Sequence, residues 1–128
     1  MLYDYSKAYS PPAPVIDVVI SNPLTGKEVT CKGIIDPGAQ MTVIPKKILE
    51  LLNPIEVVSR VNIQSFDGCI SATNIYSINL CIAKIVIKGI SVICYEENTA
   101  LLGRDILNQF VITLDGKRGI LEIKEDEK

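Results

Sequence analysis

Residues 34–45 read IIDPGAQMTVIP and place a single carboxylate, that of Asp36, between two apolar runs. The isoleucines before it are typical of the end of a buried strand, and the Pro-Gly pair after it ends that strand. A carboxylate among buried residues is unfavourable unless it is paired or hydrogen-bonded. The position of Asp36 therefore predicts a chemical role for this side chain.

The residue types elsewhere in the chain narrow the chemistry that Asp36 can take part in. Histidine is absent, and the four cysteines are widely spaced with no C-x-x-C pair. This composition removes the usual zinc ligand sets and any Ser–His or Cys–His nucleophile pair. We therefore expect no metal, no cofactor, buried thiols in a reducing cytoplasm, and acid–base chemistry that depends on carboxylates.

Size and composition predict one soluble, strand-rich domain. The 128 residues are 48% hydrophobic and 22% charged, with abundant isoleucine and valine and only 5% aromatic residues. Residues of this kind favour strands over long helices. A net charge of −2 without a basic cluster argues against a nucleic-acid partner, and no apolar run is long enough for a membrane span or signal peptide. The sequence thus predicts a cytoplasmic protein that binds neither nucleic acid nor membrane.

Turn residues divide the first half of the chain into short elements. The runs PVIDVVIS and EVTCKGIID are separated by Asn, Pro and Gly, and they predict a hairpin with Asp36 at its far end. MTVIP then predicts a short strand, and KKILELL predicts one or two helical turns.

The second half of the chain shows the same alternation of strands and turns. Asp67-Gly68 and Asp115-Gly116 each separate two strand-like runs and predict hairpins, and Gly89 predicts a further turn. RDILNQF predicts a short helix with Asp105 near its N-cap, since a cap is the usual role of an aspartate at such a place.

These elements predict an all-β protein, a closed barrel with one or two short helices. The predicted domain covers residues 14–124. Residues 1–13 are polar and then rich in proline, which predicts an N-terminal tail, and residues 125–128 predict a charged C-terminal tail.

Two motifs together carry a resemblance to a known family. IIDPGA lies at the end of a predicted strand, and LLGRDIL precedes a predicted helix further along the chain. With a hairpin before the first motif and an Asp-Gly hairpin between the two, the chain resembles the retropepsin-like aspartic proteases, which include the retroviral proteases. The resemblance covers roughly residues 14–124.

The resemblance implies a homodimer that hydrolyses peptide bonds. Asp36 would be the catalytic residue, in a loop with Pro37, Gly38 and Ala39, and the Gly38 N–H would hydrogen-bond its carboxylate. Two carboxylates that share one proton can activate a water, because one accepts a proton while the other donates to the scissile carbonyl. The chain has one such aspartate block, so the second carboxylate would be Asp36 of another copy across a twofold axis.

The resemblance also implies supporting roles for two other segments. A flap that closes over an extended peptide or protein substrate would be formed by Phe66, Asp67 and Gly68. The residues alone explain the Asp-Gly pair equally well as an ordinary hairpin turn. Gly103 would pack beneath the catalytic loop, and Arg104 would brace that loop through Gln40 or a backbone carbonyl.

Pro37 departs from the family pattern, which has Thr or Ser between the aspartate and the glycine. Proline has neither the N–H nor the hydroxyl with which those residues link two catalytic loops across a dimer axis. Three interpretations follow. The chain is an active dimeric endopeptidase, a weak or inactive retropepsin-like module for dimerisation or peptide binding, or an unrelated β-barrel in which DPGA is merely a turn.

Overall fold

The computed structural model describes residues 1–53, 57–64 and 67–125. Within these ranges the chain forms ten strands and two short helices. The strands are β1 (Leu2–Asp4), β2 (Val15–Ser21), β3 (Glu28–Ile35), β4 (Val43–Pro45), β5 (Val57–Gln64), β6 (Ile70–Ile82), β7 (Ile85–Tyr95), β8 (Ala100–Leu102), β9 (Val111–Asp115) and β10 (Ile120–Lys124), and the helices are α1 (Lys46–Leu51) and α2 (Arg104–Leu107).

Most of the strands form one sheet that closes on itself. Its order is β2-β3-β8-β4-β7-β6-β5, and β2 also pairs with β6, which closes a six-stranded barrel and leaves β5 outside the ring. The barrel interior is filled by aliphatic side chains that alternate with outward-facing residues along each strand, among them Ile20, Ile44, Leu80 and Leu102, all fully buried. The predicted all-β closed barrel with two short helices is confirmed.

The hairpins that Gly, Asn and Asp predict are present where the sequence places them. β2 pairs antiparallel with β3, β5 with β6, and β9 with β10. α1 and α2 also form at the predicted segments. Turn chemistry and the alternation of apolar residues therefore determine the order of these elements.

One predicted turn is wrong. The chain reverses between β6 and β7 at Ala83 and Lys84, which have φ angles of 49° and 69°, and not at Gly89. Gly89 lies within β7 at an irregularity where two residues, Lys88 and Gly89, oppose Asn79 alone, and its φ is +68°. Its N–H donates to Asn79 Oδ1 at 2.9 Å. A glycine with positive φ here makes a β-bulge, a feature that has the same sequence signal as a turn.

A second, smaller sheet joins the two ends of the described chain. Its order is β1-β10-β9, and Leu2 pairs with Glu122. Residues 1–13, for which the sequence predicts a tail, are therefore held to the fold through β1 and through the Tyr5 N–H, which donates to the Gly119 carbonyl at 2.8 Å. A bridge between Ser6 and Ala13 lies within the segment itself. Backbone pairing needs no apolar side chains, so the polar composition of this segment gave no sign of it.

The predicted C-terminal tail is described only at its first residue. Of the predicted C-terminal tail, residues 126–128 lie outside the described residues, and Glu125 follows β10. Among the helices of the described ranges, none has the length and apolar character needed to cross a bilayer.

Candidate active site

Asp36 lies at the end of two adjacent parallel strands. β3 ends at Ile35, and β8 runs beside it with Ile35 paired to Leu102. The N–H of Asp36 donates to the carbonyl of Leu102 at 3.1 Å, which continues the ladder by one residue. The side chain is half-buried, so its carboxylate is reachable from outside the barrel. The backbone under the carboxylate is thus held by the barrel itself.

The loop after Asp36 orients its carboxylate. The Gly38 N–H donates to Asp36 Oδ1 at 3.0 Å, which is the hydrogen bond that the family resemblance implies. The Ala39 N–H donates to the Asp36 carbonyl at 3.1 Å, so the loop is a tight turn. Pro37 and Gly38 are exposed and Ala39 is half-buried. One oxygen of the carboxylate is therefore fixed by the protein, and the loop presents its tip to the outside.

The start of α2 supports this loop from below. Gly103, the N-cap residue, is so close to it that an added Cβ would lie 2.8 Å from the Met41 carbonyl carbon and 2.9 Å from the Ala39 oxygen. The Arg104 N–H donates to the Ala39 carbonyl at 2.9 Å, and Arg104 Nη1 donates to the Pro37 carbonyl at 2.7 Å. The contact expected of Arg104 is therefore made with a backbone carbonyl. Gln40 is exposed and lies beside a surface cleft.

A buried polar pair that the sequence did not predict joins the same two segments. Thr42 is fully buried, and its hydroxyl donates to Asp105 Oδ1 at 2.7 Å while accepting from the Gly103 N–H at 3.1 Å. The Thr42 N–H donates to Asp105 Oδ2 at 3.1 Å. Asp105 lies in the first turn of α2, as the sequence predicts, and its Oδ1 accepts the Ile106 N–H at 2.9 Å, although the N-cap residue itself is Gly103. The bonds from Thr42 to the same carboxylate are what the sequence did not predict. A threonine within the apolar run MTVIP is the signal that could have indicated them.

An apolar surface lies beside Asp36, on the side of the strands away from the barrel core. Ile34 pairs with Leu101, Leu101 with Val43, and Val43 with Ile93. All four side chains are half-buried, and their neighbours along the strands point into the core. Asp36 follows Ile34 by two residues, so alternation directs both to this side. We call these four residues the apolar floor.

Two tyrosines and a threonine lie beside the apolar floor, where Tyr95 follows Ile93 by two residues in β7. No pattern in the sequence indicated them. The hydroxyls of Tyr9 and Thr99 are hydrogen-bonded at 3.0 Å, and the Tyr95 hydroxyl donates to the Thr99 carbonyl. Burial raises the pKa of Tyr95, and the nearby negative charges, those of Glu97 and Asp36 among them, act in the same direction. Tyr95 therefore remains a neutral hydrogen-bond donor at ordinary pH.

The predicted flap is described only in part. Phe66 lies outside the described residues. Asp67 and Gly68 are exposed between β5 and β6, Gly68 has a φ of +84°, and the Cys69 N–H donates to Asp67 Oδ1 at 3.0 Å. This local geometry suits an ordinary turn and a flap tip equally. β5 is the last strand of its sheet order, and Val57, Val58 and Val61 along it are exposed.

The site as a whole presents one oriented carboxylate next to an apolar surface. Within the described ranges, no group of three or more His, Cys, Asp or Glu side chains is arranged to hold a metal ion. The predicted loop residues and Gly103 and Arg104 are brought together around Asp36, whereas Gln40 faces outward. Such an arrangement can act as a general base or acid on a water bound above the floor.

Comparison with known proteins agrees with this geometry. A family model described as retroviral aspartyl protease matches residues 11–115. A retropepsin-like aspartic protease from Rickettsia conorii has a similar fold, with a TM-score of 0.64 and 16% identity over 96% of this chain and 88% of that one. EIAV protease, solved with the inhibitor HBY-793, matches with a TM-score of 0.56 and 20% identity, over 75% of this chain and 86% of that one. Simian foamy virus (mac) protease matches with a TM-score of 0.55 and 18% identity, over 73% of this chain and 91% of that one. Comparison with curated proteins gave no match.

Proposed function

Because the chain belongs to the retroviral aspartyl protease family, we propose that it is an aspartic endopeptidase whose two catalytic carboxylates are Asp36 of two identical copies. The observation that carries this proposal is the support of Asp36. Its carboxylate accepts the Gly38 N–H, and Arg104 holds the loop through the Pro37 carbonyl. Such preorganisation is what a carboxylate needs to act on a bound water. The Gly38–Asp36 bond alone also occurs in ordinary turns, so the added support of the loop by Arg104 is what favours a catalytic role.

The proposed reaction is hydrolysis by a water held between the two carboxylates. The ionised Asp36 takes a proton from the water as its oxygen attacks the scissile carbonyl carbon, and the protonated Asp36 of the other copy donates to the carbonyl oxygen. The resulting gem-diol then collapses: one of its hydroxyls gives its proton to the carboxylate that is now ionised, the C–N bond breaks, and the leaving nitrogen receives the proton held by the other carboxyl group. Like charges so close cannot both ionise, so the pair holds one proton between them.

A second copy is required because the chain contains only one aspartate block of this kind. A twofold interface places the same residue of each copy on either side of the axis. β9 offers a surface for such an interface, because it is the last strand of its sheet order and Leu114 on it is 43% exposed. Exposed strand edges with apolar side chains are suited to pairing with another strand.

The proposed substrate is an extended peptide or an unfolded segment of a protein. The apolar floor would receive side chains of the peptide in alternate positions, since the residues of an extended chain point to opposite sides. The hairpin of β5 and β6, with its tip at Asp67 and Gly68, would close over the peptide as a flap. A cytoplasmic location stays a prediction.

Pro37 supports the second interpretation, a weak or inactive module that dimerises or binds peptides. Its ring replaces the N–H and hydroxyl through which Thr or Ser would join the two loops. Pro37 does, however, keep the carbonyl that accepts Arg104. Active-site support is thus retained within one copy, which favours the endopeptidase as the primary proposal.

Subunit mixing tests this proposal most directly. We expect Asp36→Asn to abolish cleavage of an unstructured peptide at mildly acidic pH without a change in unfolding temperature. The control is Asp17→Asn, an exposed aspartate paired with Lys32 on the outer surface. A surface pair of this kind contributes little to stability, so activity should be unchanged.

Mixing the parent with an equal amount of Asp36→Asn then reports on the shared site. If subunits exchange and the site needs both copies, activity per parent subunit falls to about half, because half of the parent subunits pair with an inactive partner. Exchange of subunits in the sample is first demonstrated. If an excess of the variant then leaves the activity per parent subunit unchanged, a shared site is refuted. Full activity of Asp36→Asn alone would refute the catalytic role of Asp36.

A further inference from the structure

Residues 6–13 form a closed loop next to the catalytic strand. The Ser6 N–H donates to the Ala13 carbonyl at 2.7 Å and the Ala13 N–H donates back at 3.1 Å, so the two ends of the loop are joined. The following residue, Pro14, accepts the N–H of Ile35 at 3.0 Å. We call residues 6–13 the N-terminal loop. Its base is therefore fixed beside the residue that precedes Asp36.

The N-terminal loop also makes a side-chain contact with the bend before β8. Tyr9 is half-buried, and its hydroxyl is 3.0 Å from Thr99 Oγ1. The Thr99 carbonyl accepts the Tyr95 hydroxyl, so the hydroxyl and the carbonyl of Thr99 are each engaged by a tyrosine. A phenol fixed at its hydroxyl keeps its ring in one place, because an alternative rotamer would break the hydrogen bond.

The strand pattern places this contact on the same side as Asp36. Ala100 and Leu102 are fully buried in the core, whereas Leu101 between them is half-buried and pairs with Ile34 on the apolar floor. Tyr95 is the last residue of β7 and follows Ile93 of the floor by two positions, so alternation directs its ring to the side of the floor. Its hydroxyl donates to the Thr99 carbonyl, and the Thr99 hydroxyl is hydrogen-bonded to that of Tyr9. The Tyr9 ring therefore stands near the border of the floor.

We propose that Tyr9 is a specificity-determining residue that closes one end of a substrate pocket formed by Ile34, Leu101 and Thr99. The ring limits the side chain accepted there, beside the scissile bond, to aliphatic size. This inference rests on the proposed function and deepens it, because it assigns a substrate preference to the same site. The polar edge of the pocket is already satisfied by the Tyr9–Thr99 hydrogen bond, so the pocket favours apolar side chains.

The test measures cleavage of three peptides that have Ala, Leu or Phe next to the cleaved bond and are otherwise identical. One such set varies the residue before the bond, and a second set varies the residue after it. The parent should prefer Leu. Tyr9→Ala should raise kcat/KM for the Phe peptide relative to the Leu peptide by at least about tenfold, since pocket size discriminates between apolar side chains by this order. Tyr9→Phe keeps the ring but loses the hydroxyl that holds it, so its gain for the Phe peptide should be smaller than that of Tyr9→Ala and similar to that of Thr99→Val.

Two further variants separate a pocket wall from a structural role. Tyr5→Ala is the matched control, because Tyr5 is in the same segment but packs against the core near Gly119. It should slow all three peptides by the same factor. Thr99→Val removes the hydroxyl that holds Tyr9 at nearly constant volume, and it should partly reproduce the gain for Phe. An unchanged Phe-to-Leu ratio in Tyr9→Ala would overturn the proposal, as would an equal change in Tyr5→Ala.

Binding measurements distinguish this inference from the proposed function. If the parent cleaves no peptide at all, the endopeptidase proposal fails. The same three side chains are then presented in peptides with a non-hydrolysable hydroxyethylene bond, and Kd is measured for the parent and Tyr9→Ala. A relative gain for Phe of similar size supports the pocket wall, and an unchanged Kd ratio or absence of binding refutes it. If Tyr9→Ala does not fold, Tyr9→Leu takes its place with the same expected direction.

Discussion

Replacing Gly103 by alanine tests whether the start of α2 positions the loop that carries Asp36. The φ and ψ of Gly103 are −85° and −178°, a conformation that alanine adopts without strain. The added Cβ would lie 2.8 Å from the Met41 carbonyl carbon and 2.9 Å from both the Met41 and Ala39 oxygens. All three are backbone atoms, so no flexible side chain can move to relieve the contact.

The expected loss of stability follows from this overpacking. Forcing an extra methyl group into a packed site destabilises a protein by about 1–3 kcal/mol, and rigid backbone neighbours place Gly103→Ala near the upper end. With a typical urea dependence, about 3 kcal/mol lowers the midpoint of unfolding by roughly 1.5 M. Displacement of the loop by ~1 Å would also lower cleavage by about a hundredfold under conditions where the variant is folded.

Two matched glycine variants complete the experiment. Gly116→Ala places its Cβ where no atom lies within 4 Å, so its midpoint should stay close to that of the parent. In Gly33→Ala the three atoms nearest to the Cβ belong to the Leu102 side chain, at 3.0–3.2 Å. A side chain can shift, so this variant should show an intermediate loss. Urea titration followed by circular dichroism, with cleavage assays beside it, measures all three. Equal midpoints and undiminished cleavage for Gly103→Ala and Gly116→Ala would show that Gly103 does not support the loop.

Two other predictions concern Pro37 and the cysteines. Pro37→Thr regains an N–H and a hydroxyl on the exposed tip of the loop. Two hydrogen bonds across a twofold axis, each contributing about 1 kcal/mol, should tighten self-association by roughly thirtyfold. Turnover should rise as well. Unchanged sedimentation and kcat would refute this linking role. Burial raises the pKa of Cys94 to about 11, so its neutral, unreactive thiol prevails below that pH, whereas Cys69 is exposed. At pH 8 an alkylating reagent should therefore modify native Cys69 first, with Cys94 following only as the pH approaches 11 or after unfolding, as read by mass mapping. Equal modification at pH 8 would contradict the raised pKa of the half-buried Cys94.

Local sequence signals predicted the barrel well because its hairpins use residues with strong turn preferences. Asn-Pro and Gly mark the turn between β2 and β3, and Asp-Gly pairs mark two others. The turn at Ala83 and Lys84 has no such residues, although both adopt positive φ. Ile82 pairs with Ile85 on either side of this two-residue turn, and that tight reversal between β6 and β7 imposes the conformation, which a single-sequence pattern does not report.

The candidate site was predicted where it is local and missed where it depends on distant contacts. The Gly38–Asp36 hydrogen bond spans two positions and could be expected from Asp-x-Gly. Thr42 and Asp105 are 63 positions apart, and Tyr9 and Thr99 are 90 apart. Which polar side chains meet at such separations depends on the register of β8 against β3 and β4, and periodicity alone does not supply that register.

The pairing of β1 with β10 has a consequence for synthesis of the chain. Leu2 pairs with Glu122 and Tyr3 with Leu121, so this ladder joins segments from opposite ends of the domain. During translation, β1 emerges from the ribosome long before its partner strand exists. Contacts with so large a sequence separation form late, because the whole intervening loop must close first. The small sheet is therefore completed only once the last strand has left the exit tunnel, after the rest of the domain has had time to fold.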